Sequence, residues 1–141
     1  TRLNQALSQA QLGAAQIEPG LEAAYNILAK GEADRGDLIK PRWQAGFDLA
    51  MGRILAAKSR VEGYNAMLAA LKRGKSFANE GSTRWVLTPA DETEAGSAVK
   101  KIGERAVEYL KRVQAEHEGT PWAQMAEMEL QVPVGWKWME Q

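Results

Sequence analysis

From Trp43 to Leu71 the apolar residues recur at alternating steps of four and three: Trp43, Phe47, Ala50, Ile54, Ala57, Val61, Tyr64, Leu68 and Leu71. At 3.6 residues per turn this spacing holds side chains on one helical face for about eight turns. A stripe that long must be covered along its whole length, so the chain is directed toward helix-on-helix packing. Met51, Leu55 and Met67 widen the stripe past the narrow seam of a two-stranded coiled coil. Burial within the same molecule is therefore expected over self-association, and a monomer is favoured.

The flanking segments repeat the rhythm. Leu3, Leu7, Ala10, Ala14 and Ile17 predict a first amphipathic helix, and Glu18-Pro19-Gly20 predicts its end, because proline lacks an amide donor and disfavours helical geometry in its predecessor. Leu21, Ala24, Tyr25 and Leu28 predict a second helix from Pro19 to Lys30, with Gly31 as a left-handed cap and Glu32 to Gly36 as a polar connector. The long third helix opens at Pro41 and closes at Lys72-Arg73-Gly74, with cations at its negative end. Gly52 and Gly63 inside it mark either a close helix approach or a kink. Val99, Ile102, Ala106, Tyr109, Leu110, Val113 and His117 predict a fourth helix, and Thr120-Pro121 reads as the N-cap and first residue of a fifth that ends near Leu130.

Between Gly74 and Gly96 the helical period disappears, which is long for a loop in a compact domain. Thr83 to Leu87 is rich in strand formers and Asn79 to Ser82 is turn-like, so Ser76 to Ala78 is expected to pair with Arg84 to Leu87 as a small hairpin. Residues 132–141 form a non-helical tail. The predicted fold is all-α, about five helices in one domain spanning 1–141, with the 74–96 loop carrying the hairpin.

Several function classes lose ground on composition. Lys plus Arg and Asp plus Glu both total 18, so no global field favours nucleic acid. No apolar run reaches the roughly 20 residues of a membrane span. With no cysteine there is neither a disulfide nor a thiolate metal site, and the compartment stays unread. No phosphate-cradling glycine loop, nucleophile elbow or His-Glu-x-x-His occurs. Glu127 and Glu129 point to different helix faces, and Asp91, Glu92 and Glu94 approach a helix start, where acids compensate the dipole. The cations of the fourth helix alternate with Glu104, Glu108 and Glu116 as on a solvated face. His117 is the only histidine, falls in the register of a buried stripe and is read as structural. The expectation is a protein that is not an enzyme, with no catalytic residue, metal or cofactor.

Two resemblances enter at particular strings. His117-Glu118-Gly119-Thr120-Pro121-Trp122-Ala123 resembles the turn between tetratricopeptide-type repeats, with Ala106, Leu110 and Val113 at second-helix spacings; Glu118 stands where proline is usual in such repeats. Lys40 to Arg53, Gly63-Tyr64-Asn65-Ala66, Gly119 to Ala123 and Gly135-Trp136-Lys137-Trp138 resemble the helical C-terminal region of large bacterial proteins that carry a von Willebrand factor type A domain. That resemblance implies tetratricopeptide-like antiparallel hairpins within a larger polypeptide. The adhesion-site loop of the type A domain, Asp-x-Ser-x-Ser, does not occur in this sequence, so no metal ligand carries over.

The expected role is a non-catalytic scaffold or protein-interaction module whose partner is another protein or another domain of its own polypeptide. Trp43 and Trp122 are read as core. Trp136 and Trp138, two apart in an extended tail, would face one side and seal the last helix or mark a partner surface. An alternative is a glycan or small-ligand binder that uses Arg84, Trp85, Trp136 and Trp138 as a stacking platform.

Overall fold

The computed structural model describes all residues, 1–141. The order is α1 (Arg2–Lys30), a 3₁₀ turn (Glu32–Asp37), α2 (Pro41–Lys72), β1 (Trp85–Ala90), α3 (Ser97–Glu116), α4 (Pro121–Leu130) and β2 (Gly135–Glu140). The architecture is mainly α with one two-stranded antiparallel sheet. Helix α2 is the centre. Leu7 of α1 packs with its Leu68 and Leu71, whereas Tyr25 and Leu28 pack near its Met51 and Leu55, so α1 runs antiparallel to it. On another side Gly52 meets Leu110 and Ser59 meets Gly103, which sets α3 antiparallel to α2 as well. Helix α4 closes the opposite end through Ala126 against Leu49, Leu110 and Val113.

This sandwiching rotates the buried face of α2. Ala45, Asp48, Leu49, Met51, Leu55, Ala56, Ser59, Gly63, Met67 and Leu68 are buried, whereas Trp43 and Ala50 of the expected stripe are exposed. A helix covered from two sides has no single stripe for periodicity to find. The interior glycines serve close approach: a Cβ on Gly52 would lie 2.7 Å from Leu110 Cγ, and one on Gly103 would lie 3.0 Å from Ser59 Oγ.

Three local expectations are corrected. The helix does not break at Pro19, because α1 is continuous. Pro19 and Ala15, whose carbonyl the ring leaves without its donor, are both exposed, so water can take that carbonyl. Gly31 has φ −86°, not a left-handed value, and leads directly into the 3₁₀ turn. Finally, Arg84 to Leu87 does not pair with Ser76 to Ala78. Strand β1 pairs instead with the tail, in the register Trp85↔Glu140, Leu87↔Trp138 and Pro89↔Trp136. The tail supplies alternating inward aromatics, whereas the amides of Ala78 and Asn79 are taken by the Glu140 carboxylate at 2.7 and 3.0 Å. Those bonds, led by that from Ala78, hold the Glu140 carboxyl below its ordinary pKa. The expected N-cap of α4 is kept, with Thr120 Oγ1 accepting from the Ala123 amide at 3.3 Å, and Gly119 before it is left-handed at φ +77°.

Candidate functional site

The densest polar chemistry lies where the 3₁₀ turn, α2 and the end of α3 meet. Asp48 sits on the buried face of α2 and is fully buried. Arg35 from the 3₁₀ turn donates to it from Nε at 2.9 Å and from a terminal nitrogen at 2.6 Å. Arg112 from α3 does the same from the opposite side, again at 2.9 and 2.6 Å. Both pairs are bidentate, the strongest form of carboxylate recognition, and together they occupy both oxygens twice. Arg35 also donates to Glu116 at 2.8 Å. Its hydrogen bond to Asp48, with that to Glu116, outweighs desolvation and holds its pKa above the ordinary arginine value. Arg112 lies over the Tyr109 ring at 5.0 Å.

His117 ends α3 beside this cluster. It is buried, its Nε2 has no hydrogen-bond partner, and the Glu116 carboxylate is 4.0 Å away. Donor atoms of Asp48, Glu116 and His117 lie within 4.8 Å of one another, a spacing that side-chain adjustment could bring to metal-ligand distance. The Arg35 guanidinium, however, already bridges the two carboxylates, and Arg112 adds a second positive charge. A dication there would have to displace one guanidinium and face the other.

A second network joins α1, the 3₁₀ turn and α3. Tyr109 donates its hydroxyl to Glu32, and Arg105 donates to the Tyr25 hydroxyl at 3.1 Å and to Glu32 at 3.4 Å. Burial, reinforced by the Glu32 bond, pushes the Tyr109 phenol up to about 12. Arg105 is raised above its ordinary value chiefly by the Tyr25 bond. Lys58 pairs with Glu22 and, at 3.1 Å, with Glu62; those bonds overcome desolvation and raise its pKa. Arg105, Glu32 and the Lys58–Glu22 pair tie one element to another, whereas Lys58–Glu62 lies within α2.

The residues nominated from sequence are split by the fold. Trp136 and Trp138 do face one side, and that side is inward. Trp136 donates Nε1 to the Arg60 carbonyl at 2.9 Å and meets the Tyr64 ring edge-on at 5.7 Å. Trp138 packs on the cluster of Leu7, Leu68 and Leu71 and against Trp85, and its Nε1 is buried without a partner. Trp85 is stacked by Phe77 at 4.8 Å, approached edge-on by Trp138 at 6.2 Å and overlain by Lys75 at 5.0 Å. Arg84 is exposed and donates to the Gln141 side chain. The structure therefore brings Trp85 to Trp138, leaves Arg84 on the rim, and sets Trp136 apart against α2.

An open cleft of about 700 Å³ lies between α3 and the 91–93 loop and is lined by Ser59, Asp91, Glu92, Glu104 and Glu108 among others. Arg35 and Asp48 carry no site role in the sequence reading, and Arg112, one of the fourth-helix cations expected beside Glu108 on a solvated face, pairs instead with the buried Asp48. The one available signal was an aspartate flanked by Phe47 and Leu49 inside an apolar helical stretch, where an acid needs a partner. No family model matches the chain, and neither a curated protein nor a solved structure matches it.

Proposed function

We propose that this chain is a non-catalytic helical scaffold, a protein-interaction module of a larger bacterial polypeptide, arranged as tetratricopeptide-like hairpins and akin to the helical region that accompanies von Willebrand factor type A domains. One contrast supports the reading. The buried charges Asp48 and Lys58 are ion-paired inside the fold, whereas large apolar side chains on helices and their connector are left to solvent: Ile39 is 94% exposed, Ile27 71%, Met128 64% and Trp43 56%. Buried ion clusters fix a shape, and exposed large apolar groups bind partners.

The test is capture from a bacterial lysate by the immobilised chain, in parallel with a Trp43→Ser/Met128→Ser double variant. Retention of a discrete protein by the wild type and its loss with the double variant is the expected outcome. The reading fails if the two baits retain the same material or nothing.

A further inference from the structure

Two exposed patches of this molecule have opposite charge and matching apolar content. The first stands at the entrance of α2, where Ile39 and Trp43 are exposed together with Lys40 and Arg42, and Arg42 lies over the Trp43 ring at 4.9 Å. Neither cation enters an ion pair. Helix α2 also begins without a side-chain cap, so its positive dipole end is not offset by a capping group.

The second patch runs along the outer face of α4. Met125 and Met128 are one turn apart on that face and Val132 follows, all exposed. Beside them an open cleft of about 490 Å³ is lined by Glu118, Pro121, Gln124 and Glu127 among others. Pro121 and Gln124 each stand one turn before a methionine, which joins the cleft and the methionines into one surface. Glu118 and Glu127 are exposed and enter no ion pair.

Against the monomer that the sequence favours, we propose that the chain self-associates by seating the Ile39–Trp43 patch of one copy on the Met125–Met128 patch of another, with Lys40 and Arg42 facing Glu118 and Glu127. This rests on the interaction-module reading and names one partner, a second copy. Two cations meet two carboxylates, and none of the four is ion-paired within its own molecule. Tryptophan, arginine and methionine are the types enriched at the centres of protein interfaces, and a methionine sulfur beside an indole is a favourable contact. A partner carboxylate would also reach the uncapped start of α2, where the helix dipole favours it. The exposed position of Trp43, expected in the core, is thereby given a use.

Sedimentation equilibrium of the full chain over a concentration series tests it, with Arg42→Glu and Glu127→Arg as variants. Both positions are exposed, and each new charge suits its end of its helix, so folding is retained; far-UV circular dichroism checks this. For the wild type we expect a weight-average mass that rises above the 15.5 kDa of one chain and an association that weakens as salt is raised. Each variant alone should weaken association by about tenfold or more, and an equimolar mixture of the two should restore it, because opposite charges again meet across the contact. A wild type that stays monomeric at every concentration overturns the inference, as does a mixture no stronger than either variant. If the chain is monomeric yet captures a discrete lysate protein, the inference falls and the interaction-module reading stands.

Discussion

Replacing Asp48 by asparagine keeps the side chain's shape but removes the negative charge between Arg35 and Arg112 and leaves one acceptor oxygen where both oxygens were each doubly bonded. Removing one partner from a buried ion cluster costs about 3–5 kcal/mol, because the remaining charges stay desolvated. Here the loss belongs at the lower end. Arg35 keeps Glu116 at 2.8 Å, and the Arg112 side chain, 36% exposed, can turn to water. We therefore expect about 3 kcal/mol. For 141 residues the unfolding entropy is about 0.3 kcal/mol/K, so thermal denaturation followed by circular dichroism at neutral pH should show a midpoint lowered by about 10 °C. A triple variant, Arg35→Met with Asp48→Leu and Arg112→Met, replaces the cluster by apolar groups of similar volume and should return to within about 1 kcal/mol of wild type. A midpoint shift below about 3 °C for the single variant would refute the view that this carboxylate clamps the connector and α3 onto α2.

Three further outcomes follow from particular contacts. Because the folded-state pKa of Tyr109 is raised to about 12 from the ordinary tyrosine value of about 10, the unfolded chain releases that proton first and stability falls as pH rises through this interval. Urea titrations of wild type and Tyr109→Phe across that range should show a shallower fall for the variant, and equal slopes would contradict it. Gly52→Ala would place a Cβ 2.7 Å from Leu110 Cγ, so it should destabilise by about 1–3 kcal/mol in chemical denaturation despite alanine's better helix propensity, and a stabilised variant would show that the α2–α3 contact yields. Pro19→Ala restores an amide donor inside a continuous exposed helix and should stabilise by about 1–3 kcal/mol; a loss of stability would mean that α1 does bend there.

Much of the helical layout was legible because apolar spacing and cap chemistry are local. Thr120-Pro121, Gly119 and the cations before Gly74 mark ends that the structure keeps. What was hidden depends on distance along the chain or on a second neighbour. Periodicity does not locate the buried face of α2, because α1 and α3 cover it from different sides and burial does not follow one stripe. The nearest strand-forming segment is not the partner of β1, whose partner lies beyond α3 and α4, about fifty residues away. Pro19 signals a break only as a local prior, and an exposed carbonyl lets solvent relax it. Asp48 inside an apolar stretch signals a need for partners but not which ones: its arginines come from 13 and 64 residues away, and nothing in either local sequence announces the pairing.

If, as we propose, buried charge holds the shape and exposed apolar side chains bind, the two roles separate when partner retention is measured for Asp48→Asn and for Trp43→Ser/Met128→Ser side by side, at a temperature where circular dichroism shows both folded. We expect Asp48→Asn to retain as much captured protein as the wild type and the surface double variant to retain little. Loss of retention in Asp48→Asn with full retention in the double variant would contradict the claim and place function at the buried cluster.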